Sequence, residues 1–198
     1  PVLVSGLTDV TSLAVNDNQS CAAKSSGQVY CWGVQIGTDT AILVGFVIQG
    51  GVGPVISPDE GPVDHSSVPK LVDGASGANR VYVGRGTNCL VSFSYTVSCW
   101  GNNSYGQMGV GTTEITDEVR SIPNLNGVRS LSIGGSSDSC AILFSGRAYC
   151  WGQPNSSEPA AWFGTNLTSS PTLATSDALQ DVRMFGQSID SPIGDVRC

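Results

Sequence analysis

Seven cysteines are the residues whose types and spacing most clearly imply chemistry. Six of them form three pairs, Cys21/Cys31, Cys89/Cys99 and Cys140/Cys150, with one shared offset, and Trp-Gly follows the second member of each pair. In a hairpin centred between them, such cysteines stand opposite each other on adjacent strands, where Cα atoms lie about 4.5–5.5 Å apart, inside disulfide range. Three local disulfides are the expected use, each stabilising by about 2–3 kcal/mol through loop closure. Zinc is a rival, although zinc knuckles space their thiols by only about two to four residues. Reduced, buried thiols in a cytosolic chain are the third reading, which three repeats of one pairing disfavour. Cys198 is the odd thiol. Its partner by the same offset would be position 188, which is Ser188, so it is free, pairs between chains, or pairs with sequence outside these residues.

Catalytic chemistry finds little to work with. A hydrolytic triad needs a base beside its nucleophile, and the one histidine, His65, ends the run Asp59-Glu60-Gly61-Pro62-Val63-Asp64, which reads as a solvated loop. No nucleophile elbow, phosphate-cradling glycine loop or zinc-protease helix motif occurs. No enzyme activity, cofactor or resident metal is expected. Glu114, Asp117 and Glu118 could gather around calcium, but plain surface charge is the simpler reading. Four N-glycosylation sequons start at Asn18, Asn102, Asn155 and Asn166, and in a secreted chain they mark loops that carry N-linked glycans.

The whole composition points the same way. Only 13% of the 198 residues are charged, Gly occurs 25 times, and short apolar runs alternate with Ser, Thr, Gly and Asn, which favours many short strands over helices. The formal charge of −7 and the lack of a Lys/Arg cluster exclude nucleic-acid binding. Ala41–Ile48 is the most apolar segment, far short of the roughly 20 residues that span a bilayer, so membrane insertion is not expected. No basic, then apolar leader opens the sequence at Pro1, as for a leader already removed or left out. With the cysteine pairs this argues for an extracellular or cell-surface location.

Four blocks must position these residues. Block one holds Pro1-Val2-Leu3-Val4, Val10–Val15 and the run Val29-Tyr30-Cys31-Trp32-Gly33; block two opens at Pro69-Lys70-Leu71-Val72, block three at Pro123-Asn124-Leu125, block four at Pro171-Thr172-Leu173. The starts are 68, 54 and 48 residues apart, the period of a propeller blade. The prediction is an all-β, propeller-type repeat domain over 1–198, with units 1–68, 69–122, 123–170 and an incomplete 171–198. Each block supplies three strands, and the next block's Pro-x-Leu segment adds a fourth. Gly27, Gly146 and Gly194 hold the left-handed place of a three-residue hairpin. Tyr95 stands there in block two, so a different turn is expected.

Pro-x-x-Val, a strand ending in Gly, and Gly-x-Val-Tyr-x-Trp-Gly resemble the repeats of the regulator of chromosome condensation family. Asn102-Asn103-Ser104-Tyr105-Gly106-Gln107-Met108-Gly109-Val110-Gly111 is similar to that family's N-x-x-G-Q-L-G-x-G loop. The resemblance implies a ring of seven blades that works through protein contacts, and the cysteine pairs resemble its disulfide-bearing extracellular branch. Block one departs from it, with Val34–Ser67 in place of the loop, and block three has Gln153–Ser170 there.

Function follows from surfaces. Trp32, Trp100 and Trp151 are expected as blade-packing anchors. Trp162 and Phe163, and the apolar Ile42, Leu43, Phe46, Val47 and Ile48, are candidate contacts. Pro1, Val2, Leu3 and Val4 look like a fourth strand lacking a blade. They could close a four-bladed ring, pair with a neighbouring chain, or mark where a longer repeat was cut. The expected function is a non-enzymatic extracellular structural or assembly glycoprotein module, a filament or coat whose partners are other copies of itself. The alternative is a secreted recognition propeller that binds or inhibits another protein with its loop face.

Overall fold

The computed structural model describes residues 3–16, 19–34, 65–134, 137–153 and 168–173. They form twelve strands in three antiparallel four-stranded sheets, which we call blades 1 to 3. Blade 1 comprises β1 (Val10–Val15), β2 (Gln19–Lys24), β3 (Val29–Val34) and β4 (His65–Leu71). Blade 2 comprises β5 (Ala78–Val83), β6 (Thr87–Ser92), β7 (Val97–Gly101) and β8 (Thr116–Ser121). Blade 3 comprises β9 (Val128–Ile133), β10 (Asp138–Leu143), β11 (Ala148–Gly152) and β12 (Thr168–Leu173). The fold is an all-β propeller repeat.

Local chemistry fixes each blade. The second and third strands are joined by a three-residue loop, with Lys24 N–H donating to Gln28 O at 2.9 Å and Gly27 N–H to Lys24 O at 2.8 Å. Blades 2 and 3 repeat both bonds, at Ser92/Thr96 with Tyr95 and at Leu143/Arg147 with Gly146. The closing residue is left-handed each time, at φ 83° for Gly27, 60° for Tyr95 and 83° for Gly146. The expectation of a different turn at Tyr95 is therefore corrected. Hairpin register demands the same backbone, and Tyr95 adopts it against the usual penalty for a side chain there.

The Trp-Gly pairs also have a backbone cause. Gly33, Gly101 and Gly152 lie at φ 96°, 103° and 95°, and each sits where the third strand slips against the fourth. Cys31 faces Lys70 while Gly33 faces Ser66, so two steps on one strand oppose four on the other. Such a bulge needs a residue free of Cβ strain. Pro69 and Pro171 fall inside this irregular stretch, where a missing N–H breaks no regular ladder.

Two expectations fail here. Pro123-Asn124-Leu125 does not supply blade 2's fourth strand, because β8 ends at Ser121 and Asn124 turns left-handed at φ 62°. The residue in the frame of Pro69 and Pro171 is Val119, directly before Arg120, which faces Cys99 as Lys70 faces Cys31. His65 is not in a loop: its backbone opens β4 opposite Val34.

The core lies between blades. One cluster packs Cys21, Ala23, Val29 and Cys31 of blade 1 on Ala78, Val81, Leu90 and Trp100 of blade 2. The next packs Cys89, Val91, Val97 and Cys99 on Val128, Leu131, Ala141 and Trp151. The two joints use the same positions. Ala23 and Ala78 become Val91 and Val128 while Leu90 becomes Ala141, so volume lost in one place is regained in another.

Candidate interaction surface

Every blade has a disulfide-bearing trailing face and a leading face that receives the blade before it. Cys21–Cys31, Cys89–Cys99 and Cys140–Cys150 are disulfides with Cα atoms 4.1 Å apart. Each pair sits directly opposite in register and is buried. Disulfides persist in oxidising surroundings such as the extracellular space.

Two backbone bonds recur, one across each joint and one that extends the pairing of third and fourth strands within a blade. Ala78 N–H donates to Gly27 O and Val128 N–H to Tyr95 O, both at 3.0 Å, while Val72 and Ile122 donate to Val29 and Val97 at 2.9 Å. The hairpin of one blade therefore caps the first strand of the next. Gly27 lies so close that an added Cβ would meet Gly77 Cα at 2.8 Å.

Among the described residues, no blade covers this receiving face on blade 1. Register places Leu13 opposite Ala22, as Val81 lies opposite Leu90 and Leu131 opposite Ala141. Leu13 is 61% exposed, against 4% for Val81 and 2% for Leu131. Val10 is 43% exposed, against none for Ala78 and Val128. Val15 is exposed as well, where Val83 and Ile133 are half-buried. Upstream, Gly6 and Asp9 are left-handed at φ 82° and 58°, matching Gly74 and Gly77. Leu3 and Val4 thus stand in the frame of Leu71 and Val72, yet both are exposed and belong to no strand.

The loop after β7 is the second built feature. Asn103 is fully buried; its amide donates to Thr112 O and Glu114 O at 2.9 and 3.1 Å and accepts from Met108 N–H at 2.9 Å. Gln107 O accepts from Ser139 Oγ and Trp151 Nε1, both at 2.8 Å, and Gly111 N–H donates to Ser169 O at 2.7 Å. The loop staples blade 2 to blade 3. Sequence reasoning singled out Asn102 as a sequon and missed Asn103 as the organiser, although the resembled loop motif contained both.

Other expected residues fall as follows. Trp100 and Trp151 are buried at the joints, while Trp32 on the uncovered leading face is half-exposed. Asn102 is half-exposed, and its Oδ1 accepts from the N–H and Oγ–H of Ser104 at 3.1 and 3.0 Å. Glu114 and Glu118 are held by Arg120 at 2.9 and 3.2 Å, and both acids, Glu114 first, raise the exposed guanidinium above its ordinary range. Phe93, Tyr95 and Phe144 are exposed at hairpin tips, with the Tyr95 and Phe144 rings edge-to-face at 4.8 Å. Pro1, Val2, Asn18, Asn155, Asn166, Ile42, Leu43, Phe46, Val47, Ile48, Trp162, Phe163 and Cys198 lie outside the described residues.

No protein-family model matches the sequence. Among solved structures, the chain is similar to human WBSCR16 at 21% identity and a TM-score of 0.62, over 85% of this chain and 42% of that one. It is also similar to yeast RCC1 (Prp20), solved with Kap60 bound, at 16% identity and a TM-score of 0.58, over 84% of this chain and 37% of that one. The chain thus spans less than half the length of either. Its three stapled blades are RCC1-like propeller repeats in fold.

Proposed function

We propose that this chain is a non-enzymatic, extracellular structural or assembly module that works by binding protein, with other copies of itself joined head to tail. The observation that carries the reading is the uncovered face of blade 1. Val10, Leu13 and Val15 form an apolar surface at positions that blades 2 and 3 bury or half-bury, and an open surface of this kind marks an interaction site. Three disulfides suit a secreted or cell-surface protein. The Asn102 side chain, turned by its bonds to Ser104, offers Nδ2 to an N-linked glycan. Protein recognition is a role this fold carries, since RCC1 binds Kap60.

Light scattering across a concentration series tests the proposal. Mass should grow reversibly with concentration, and a monodisperse monomer at the highest concentration would overturn it. Intact mass before and after reductant and glycosidase reads the disulfides and glycans independently. A second reading is a recognition propeller that binds or inhibits a foreign protein. It is favoured by the exposed Tyr95–Phe144 ring pair and Phe93, since aromatic anchors dominate protein interfaces. One stoichiometric foreign partner whose binding is lost in Phe144→Ser would establish it.

A further inference from the structure

We propose that the hairpin end of blades 2 and 3 docks an acidic segment of another protein, with its apolar side chains on the rings of Phe93, Tyr95 and Phe144 and its carboxylates on Arg129 and Arg147. This names the partner's chemistry for the recognition reading above and rests on that reading, not on self-assembly.

The repeat frame separates what the fold requires at this end from what has been added to it. In each blade the first residue of the hairpin loop donates its backbone N–H to the turn before the first strand. Ser25 donates to Asp9 O at 2.8 Å, and Phe93 and Phe144 donate to Gly77 O and Gly127 O at 2.9 Å. Blade 1 makes this bond with serine, so the hairpin itself does not call for phenylalanine. Phe93 and Phe144 are nevertheless 52% and 60% exposed. Tyr95 takes the left-handed place that Gly27 and Gly146 hold, a conformation that opposes a side chain. Backbone strain kept where glycine serves the other blades points to a functional position. The Tyr95 ring packs edge-to-face on Phe144 at 4.8 Å, which joins the two hairpins in one exposed aromatic patch, and such patches are interaction sites.

Local charge decides the occupant. Arg147 stands where the other blades have Gln28 and Thr96, and Arg129 where they have Thr11 and Asn79. Arg147 alternates with Tyr149 and Trp151, which pack on the core between blades 2 and 3, so its side chain leans toward blade 2 and Tyr95. Arg129 follows Val128, whose N–H is bonded to Tyr95 O. Arg80 Nη1 reaches the Arg129 carbonyl at 3.4 Å and brings a third guanidinium to the same end. The segments 92–97, 122–129 and 143–148 contain no Asp or Glu. Neither Arg129 nor Arg147 has a carboxylate partner among the described residues. In a chain of net charge −7, this local cluster beside three exposed rings fits a ligand that is both anionic and apolar. A short peptide segment meets only that local field. An anionic membrane or a nucleic acid extends past the screening length of about 8–10 Å and meets the acidic remainder of the chain. Phe144 also lies against Tyr95 and does not stand clear as a wedge for lipid.

A random-peptide phage library, selected on the whole oxidised chain, tests the proposal. Enriched peptides should be rich in Glu and Asp beside Leu or aromatic residues. Their affinity, read by fluorescence anisotropy, should fall about tenfold or more in Phe144→Ser. It should fall several-fold in Arg129→Ser with Arg147→Ser, and weaken as sodium chloride rises. Tyr95→Gly gives this hairpin the residue of the other two, and should lose binding while its urea midpoint holds, which separates docking from folding. Enriched peptides that need Phe144 but are neutral or basic would overturn the acidic partner and leave recognition at this end standing. Peptides indifferent to Phe144 and Tyr95, or no enrichment, would overturn the site and the recognition reading with it. Binding to vesicles of phosphatidylcholine and phosphatidylserine that is lost in Phe93→Ser with Phe144→Ser would overturn the peptide and assign the rings to a membrane.

Discussion

Gly27 occupies a position that two independent constraints reserve for glycine: φ is 83°, and a Cβ would stand 2.8 Å from the Gly77 backbone. Gly27→Ala should cost at least about 1–2 kcal/mol from the left-handed strain alone, plus whatever the joint loses by moving apart. Tyr95 is in the same turn at φ 60°, but it is 42% exposed and its ring meets Phe144. Tyr95→Gly removes that strain while losing an aromatic contact worth about 0.5–1.5 kcal/mol and adding chain entropy to the unfolded state. The opposing terms should leave stability within about 1 kcal/mol of wild type. Urea unfolding of the two variants checks the contrast. A Gly27→Ala chain as stable as wild type would mean that the turn does not dock on the next blade. The reason Tyr95 was misread lies here: residue type signals a left-handed turn only when the turn has selected Gly or Asn, and tertiary packing can hold a tyrosine there.

At the scale of elements, the paired strands were legible because their chemistry is local. Two cysteines opposite each other across a three-residue hairpin, then a Gly in a bulge, fix residue types at fixed spacing, and a reader can recover the blade from Cys21 to Gly33. The Pro-x-Leu fourth strands of blades 1 and 3 were legible too, but that of blade 2 was not, because nothing local distinguishes Pro123 after β8 from Pro69 within β4. The true frame is carried by left-handed residues, Gly74 and Asn124, then Gly77 and Gly127, and asparagine hides one of them. The joints have the same logic and their own predictions. Cys89→Ser with Cys99→Ser should lower stability by about 2–3 kcal/mol, read as a shift in urea midpoint, and reductant, which opens all three disulfides, should lower the parent's midpoint further. Trp151→Phe removes the indole donor to Gln107 O and opens space beside Gly109, whose absent Cβ would lie 2.7 Å from Nε1. The loop after β7 should then loosen before the blades do. Hydrogen exchange at the Met108 amide, bonded to Asn103 Oδ1, should accelerate by at least tenfold while the amides of β6 stay protected.

The three described blades stand in a row whose facing sheets share the cores between them, so stability and association would draw on one kind of contact. Exposure of Leu13 could not be read from the sequence, since its hydrophobic pattern matches that of Val81 and Leu131 and only the neighbour differs. A contact made by Val10, Leu13 and Val15 is apolar, and its strength should follow the hydrophobic effect. Association should weaken on cooling and strengthen with sulfate. Sodium chloride should not loosen it. Each copy carries a formal charge of −7, so screening relieves repulsion between copies and leaves the apolar joint intact. Sedimentation at low and high sodium chloride, repeated cold and warm, separates this from an assembly held by Arg120 and the acids around it. Association that falls steeply with sodium chloride would assign the contact to ion pairs, and blade 1's leading face would then serve some other partner.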